Sequence, residues 1–259
     1  MAKARVDVLL VERGLAETRS KAQLLVMAGQ VRADGQIVDK PSSLYGNEVK
    51  LEVEKRPRYV SRGGEKLKVA LDGFGIEVED KVCADVGAST GGFTDCLLQH
   101  GASKVYAIDV GKGQLDWKLR QDTRVVVMEE TNARYLEKLP KAVDLVTVDA
   151  SFISLKTLLP AVKGWLTENG HLIALIKPQF EAGKQEVGKG KGVIRDEQIH
   201  RRVLGQILGF VENQGFGVLG LMRSPVLGPK GNIEFLVWAE AGVKSAKVTE
   251  DMIDGVFKG

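Results

Sequence analysis

A chain of 259 residues, 44% of them hydrophobic and 27% charged, has ordinary globular composition and room for one large domain beside a small one. Its net charge of +3 is uneven: residues 1–62 carry twelve Lys/Arg against eight Asp/Glu, and the remainder 25 against 26, which suggests a polyanion-facing module joined to a nearly neutral body. No run approaches the ~18 apolar residues that cross a bilayer, so no membrane partner is expected.

The opening residues Met1 to Asp7 lack an apolar leader core, which points to the cytoplasm. Cys83 and Cys96 form no Cys-x-x-Cys pair and three scattered histidines give no zinc spacing, so buried thiols and no metal are expected.

In chain order, residues 5–13 read as a short helix with Val6, Leu9 and Leu10 on one side, ended by Gly14. Ser20 is the expected N-cap of a second helix with an apolar face of Leu24, Leu25 and Ala28, stopped at Gly29. Val31 to Ala33, the turn Asp34-Gly35, and Gln36 to Val38 form a hairpin. Val49, Leu51 and Val53 alternate with charged residues as in a half-exposed strand, and Arg56-Pro57-Arg58 breaks the pattern. These features predict a domain over 1–55, a linker over 56–60, a second domain over 61–240 and a tail over 241–259.

From residue 80 the pattern alternates. Strands are predicted at 82–86, 104–108, 124–128, 143–148 and 170–176, each apolar enough to be covered on both faces. Helices are predicted near 93–100, 153–166 and 196–213, and a final strand pair at 216–223 and 233–239. The fold class is therefore α/β, a doubly wound sheet with a small α+β domain before it.

The segment Asp85-Val86-Gly87-Ala88-Ser89-Thr90-Gly91-Gly92-Phe93-Thr94 joins a strand to a helix through a glycine-rich turn. Such a turn cradles a nucleotide-like ligand with free N–H groups at the helix start. Ser89 stands where a dinucleotide fingerprint would have glycine, which argues against a pyrophosphate. Asp109 closes the next strand and is placed to accept from ribose hydroxyls. Lys66, Asp149, Lys177 and Glu234 complete the candidate site: Asp149 and Lys177 end two parallel strands on the edge that carries the glycine turn, and Glu234 falls in the final strand. A strand-end salt bridge is the plain alternative for each. The segment Gly183 to Gly192, with Lys184, Lys189 and Lys191, reads as a mobile basic loop that faces RNA and orders on binding, with a plain solvated loop as the alternative of equal weight.

Two resemblances sharpen this reading. Residues 5–55, with Arg5-x-Asp7-x-x-Leu10, Thr18-Arg19-Ser20-x-Ala22 and Val31-x-x-Asp34-Gly35, resemble the S4 RNA-binding domain. That likeness implies RNA phosphate contacts from Arg5, Arg13, Arg19, Lys21 and Arg32. The stretches Tyr59 to Leu67, Asp85 to Asp95, Asp149 to Ser154, Lys177 to Glu181, Gly192 to Asp196 and Gly231 to Phe235 resemble the TlyA family of RNA 2′-O-ribose methyltransferases, which have an FtsJ-like, Rossmann-like fold. The resemblance implies a Lys66-Asp149-Lys177-Glu234 tetrad and S-adenosyl-L-methionine held by Asp85, Gly87, Ala88, Ser89, Gly91, Gly92, Phe93, Asp109, Val110, Asn132 and Phe152. It also implies ribosomal RNA or ribosomal subunits as partner, with a cytidine 2′-hydroxyl as acceptor. A non-catalytic RNA-binding protein, a membrane-active haemolysin, a pseudouridine synthase and an NAD-dependent dehydrogenase are the competing classes.

Overall fold

The computed structural model describes residues 3–53, 57–190, 192–246 and 249–258. The chain divides into two compact units, Met1–Pro57 and Arg58–Gly259.

The first unit comprises β1 (Lys3–Arg5), α1 (Val6–Glu12), α2 (Arg19–Met27), β2 (Val31–Ala33), β3 (Gln36–Ile37), β4 (Leu44–Gly46) and β5 (Leu51–Val53). β1 pairs antiparallel with β4, and β2 lies between β3 and β5. The Asp34-Gly35 turn has positive φ at both positions, 49° and 82°, the geometry that lets a two-residue hairpin follow the strand twist. Val6, Leu9, Leu10, Ala22, Val26, Val31 and Leu51 form the core.

Two details of α2 differ from expectation. Thr18, not Ser20, caps it, its hydroxyl accepting from Lys21 N at 3.2 Å. Ala22 and Val26, one helical turn apart, face inward, while Leu24 is 59% exposed.

The second unit contains α3 (Gly63–Phe74), β6 (Val82–Val86), α4 (Gly92–Gln99), β7 (Lys104–Ile108), α5 (Trp117–Arg120), β8 (Val125–Met128), β9 (Val143–Val148), α6 (Leu155–Lys163) and β10 (Leu166–Ile176). It continues through α7 (Pro178–Glu181), α8 (Lys184–Lys189), α9 (Glu197–Asn213), β11 (Phe216–Arg223), β12 (Phe235–Ala241) and α10 (Thr249–Gly255). The seven strands run in the order β11-β12-β10-β9-β6-β7-β8. β10, β9, β6, β7 and β8 are parallel, and β12 is antiparallel to both of its neighbours. The chain goes from β6 outward through β7 and β8, then returns to β9 on the other side. The topological switch point, where such sheets bind ligands, therefore lies between the tips of β6 and β9.

Every residue of β6 is buried, as are 172–176 of β10, because helices cover both sheet faces. Cys83 and Cys96 are free and buried. β10 starts four residues earlier than expected: Leu166 pairs with Val143, an irregularity follows, and regular pairing resumes at His171. Polar Thr167 to Gly170 hide that extension in the sequence. Glu234 directly precedes β12 rather than lying in it, and the segment expected to be a mobile loop forms α8.

Candidate active site

The glycine turn is built around Asp85. This carboxylate, with no exposed surface, accepts from Thr94 N at 2.9 Å and Thr94 Oγ1 at 2.7 Å, and from Thr147 Oγ1 at 3.2 Å. Burial pushes it up to about 7, with the threonine hydrogen bonds opposing. Asp85 thus ties the strand end to the start of α4. It is absent from the walls of the two cavities described below, and the contacts it makes are structural.

At the switch point the tips of β6 and β9 nearly touch. Gly87 has φ of +82°, and a Cβ there would lie 2.9 Å from the Asp149 carbonyl oxygen. Gly92 admits a different neighbour: its missing Cβ would fall 2.1 Å from Ser61 Oγ and 2.9 Å from Gly64 N, so α3 can approach α4 closely. Gly91 faces Leu115 and Leu119 and is absent from the walls of the two cavities that follow, so its backbone serves packing here.

Two cavities open at this edge. The first, of about 360 Å³, is walled by Lys66, Asp149, Lys177 and Glu234, together with Arg62, Gly87, Ala88, Ser89, Gly92, Phe93 and Leu227. The second, of about 460 Å³, has an apolar slot of Val86, Ile108, Val110, Ile153 and Leu158, with Asp109, Asn132 and Phe152 on its walls. Gly87, Ser89, Asp149 and Ser151 belong to both. Three non-glycine residues beyond the strand tips have left-handed backbones, Ser89 (φ 49°), Glu130 (φ 51°) and Phe152 (φ 64°), strain of the kind that collects at functional sites.

The four charged residues arrive on four separate segments and form two ion pairs. Lys66, on the first turn of α3, reaches Glu234 Oε2 at 2.6 Å; their side chains are 10% and 0% exposed. Gln179 Nε2 donates to the other Glu234 oxygen at 3.4 Å. Lys177 Nζ lies 2.6 Å from Asp149 Oδ1 at angles outside those of a hydrogen bond, and donates to Ser151 Oγ at 3.0 Å and the Asp149 carbonyl at 3.3 Å. The Phe180 ring also faces this amine, its centroid 5.8 Å from Nζ, and packs against Phe152. Ser151 and Phe180 were visible in the sequence only as members of longer motifs; neither carries a charge to draw attention.

In the second cavity, Asp109 is fixed by two backbone donors, Ser89 N at 2.8 Å and Gly111 N at 2.7 Å. Each of its oxygens keeps a further lone pair for a ligand hydroxyl. Asn132 Oδ1 accepts from Arg134 N at 3.1 Å, which leaves its amide NH₂ for a ligand. Val110 is 70% and Phe152 91% exposed at the cavity wall.

The basic residues of the first unit are more occupied than expected. Arg5 (2.9 Å) and Arg19 (3.1 Å) pair with the buried Asp7, which also accepts from Gln23 Nε2. The Arg5 guanidinium first, then Gln23 and Arg19, hold the Asp7 carboxyl well below the usual range. Arg13 donates to the carbonyls of Val49 (2.5 Å) and Asn47 (2.7 Å), bracing the approach to β5. Arg32 donates to Gly35 O at 3.2 Å across the hairpin. Lys21 is exposed on α2. Of the three lysines expected in the basic loop, Lys184 and Lys189 fall in α8, and Lys191 lies outside the described residues.

Comparison with known proteins agrees with this arrangement. Residues 59–241 match the FtsJ-like methyltransferase model, and residues 4–46 match the S4 domain model. The chain is 49% identical to YqxC of Bacillus subtilis, covering 97% of this chain and 92% of that one. It is 44% identical to the 16S/23S rRNA (cytidine-2′-O)-methyltransferase TlyA of Mycobacterium tuberculosis, over 99% of this chain and 97% of that one. A solved structure from Streptococcus thermophilus that carries a hemolysin name superposes with a TM-score of 0.74 at 44% identity, covering all of this chain and 97% of the other. With the first of these models spanning most of the chain, the chain belongs to the FtsJ-like methyltransferase family, with an S4 domain at its amino end.

Proposed function

We propose that this protein transfers a methyl group from S-adenosyl-L-methionine to a ribose 2′-hydroxyl, that of a cytidine in ribosomal RNA, acting on ribosomal subunits in the cytoplasm. The observation that carries the reading is the convergence of Lys66, Asp149, Lys177 and Glu234 on one cavity that shares Gly87, Ser89, Asp149 and Ser151 with a second. The second cavity fits an adenosine: an apolar slot for the base, a fixed carboxylate for the ribose diol, and a volume within the ~300–1,000 Å³ usual for ligand pockets. Bound there, the cofactor supplies an electrophilic methyl carbon on a sulfonium.

A ribose hydroxyl is a weak nucleophile, so the remaining tasks are alignment and handling of its proton. Lys177 is the group that accepts that proton or stabilises the developing alkoxide, and Asp149 orients its amine. Lys66 and Glu234 hold the ribose and balance charge. Gly87, Ala88, Ser89, Gly92 and Phe93 surround the methionine portion; Asn132, Val110 and Phe152 address the base side. The first unit supplies phosphate contacts through Lys21 and through the guanidinium groups of Arg5, Arg13, Arg19 and Arg32. Lys184, Lys189 and Lys191 add positive charge.

Mass spectrometry of ribosomal RNA digests from cells with and without the gene tests the reading. A 2′-O-methylcytidine present only with the gene, and restored to naked subunits by purified protein and S-adenosyl-L-methionine, is the expected result; identical digests refute it. The haemolysin reading draws on relatives' names, and among the described residues no helix is long and apolar enough to cross a membrane. Dye release from liposomes separates the two.

A further inference from the structure

The proton acceptor in the reaction just proposed has a coordination problem. A lysine ammonium has three N–H donors. Lys177 Nζ already has three oxygens around it: Asp149 Oδ1 at 2.6 Å, Ser151 Oγ at 3.0 Å and the Asp149 carbonyl at 3.3 Å. Two of these are hydrogen bonds and the third is an ion-pair contact outside hydrogen-bond angles, so a substrate hydroxyl would be a fourth oxygen crowded around the amine.

The neutral amine meets the same geometry differently. Its lone pair needs a proton donor among its neighbours. Neither a carboxylate nor a peptide carbonyl has a proton to give. Ser151 is the one of the three partners that does. The Ser151 side chain is also an exposed part of the wall of both cavities, where the acceptor ribose and the methyl donor meet in the proposed reaction.

We infer that Ser151 is a further catalytic residue, whose hydroxyl relays the ribose 2′-proton to Lys177. The inference rests on the reading of the site as a ribose methyltransferase. Starting from the neutral amine, the 2′-oxygen bonds to the methyl carbon while the carbon–sulfur electron pair stays with sulfur. The 2′-proton passes to Ser151 Oγ as the serine's own proton passes to Lys177 Nζ. An ether, a thioether and an ammonium result, and charge is conserved. The ammonium so formed then finds two hydrogen-bond acceptors and the Asp149 carboxylate already in place, which stabilises the product side of the transfer.

Because Ser151 is exposed and lies in a bend beyond β9, Ser151→Ala should fold normally, with a melting temperature matching wild type. Single-turnover methylation by Ser151→Ala should fall by about 10²-fold, the low end for loss of a positioned proton-transfer group, at unchanged KM for RNA and unchanged affinity for S-adenosyl-homocysteine. Ser151→Thr keeps the hydroxyl and should regain most of the rate. A rate for Ser151→Ala within about threefold of wild type overturns the relay, as does a Ser151→Thr protein no faster than the alanine variant.

A second readout needs neither RNA nor cofactor. In protein labelled with ¹⁵N at lysine Nζ, the Lys177 signal is assigned by its loss in Lys177→Arg. Its ammonium protons should exchange with water about tenfold faster in Ser151→Ala, because one of its two hydrogen bonds is gone. Unchanged exchange overturns the coupling of Ser151 to Lys177. If wild-type protein methylates no ribosomal RNA while exchange does accelerate, the contact stands and the proposed substrate fails, so the two failures are distinguishable.

Discussion

The Lys66–Glu234 pair predicts a stability signature separate from its chemistry. Both side chains are almost fully removed from solvent and their charged atoms are 2.6 Å apart. Removing one partner of a buried ion pair leaves the other charge uncompensated, at a cost of about 3–5 kcal/mol. For a unit spanning Arg58–Gly259, each kcal/mol lowers the melting temperature by about 2–4 °C, so Lys66→Met should melt roughly 10 °C below wild type. The double variant Lys66→Met/Glu234→Gln has no orphaned charge, and its glutamine can still accept from Gln179, as Glu234 does at 3.4 Å. It should recover more than half of the loss while remaining inactive. Calorimetry on the full chain, with single-turnover methylation alongside, reads both effects. If Lys66→Met melts within about 2 °C of wild type, or the double variant is no more stable than the single, the pair is not the desolvated couple described above.

Three further outcomes follow from the same geometry. The folded Asp85 carboxyl, raised by burial to about 7, keeps a proton that the unfolded chain releases near 3.9, so stability from the neutral group is lost as pH rises through about 4 to 7; Asp85→Asn should gain up to about 4 kcal/mol over wild type between urea titrations at pH 4 and pH 8, and an unchanged difference between the two proteins counts against it. Arg13→Ala should lower the stability of the first unit by about 1–3 kcal/mol, because the Val49 and Asn47 carbonyls lose their donors, whereas Lys21→Ala should leave melting unchanged and reduce the salt slope of RNA binding by about one. Gly87→Ala, with its new Cβ 2.9 Å from the Asp149 carbonyl and its backbone held at φ +82°, should abolish S-adenosyl-homocysteine binding in a calorimetric titration; retained affinity would mean that the tips of β6 and β9 can separate freely.

Much of the second unit was legible because its chemistry is written in short, contiguous runs. Parallel strands covered on both faces appear as Val/Ile/Leu segments, and a charge standing directly after such a segment, as Lys177 follows Leu172 to Ile176, marks a strand tip. Less visible were features decided by tertiary contact. The helix α3 begins with Gly63-Gly64, poor helix formers, and exists because Leu67, Ala70 and Leu71 are buried against neighbouring elements. In α2, packing against the core of the first unit, rather than the residue pattern alone, decides that Ala22 and Val26 face inward. Asp85 reads as part of a binding motif, yet its burial and threonine partners make it a fastener for α4. Ser151 is silent until folding brings the Lys177 amine to 3.0 Å.

The Asp7 cluster has a consequence for how the small domain would meet the RNA proposed above. Arg5 and Arg19 share one interior carboxylate, and Arg13 is pinned by two carbonyls, so these guanidinium groups are fixed in orientation before any polyanion arrives. Docking then immobilises fewer rotamers, which leaves more of the Coulombic attraction as affinity. If these groups meet RNA as proposed above, the same rigidity restricts the choice of target: the domain would work as a stamp of set pattern rather than as a brush of loose cations, suited to a folded contour whose phosphate spacing matches it and poorly suited to a slack strand.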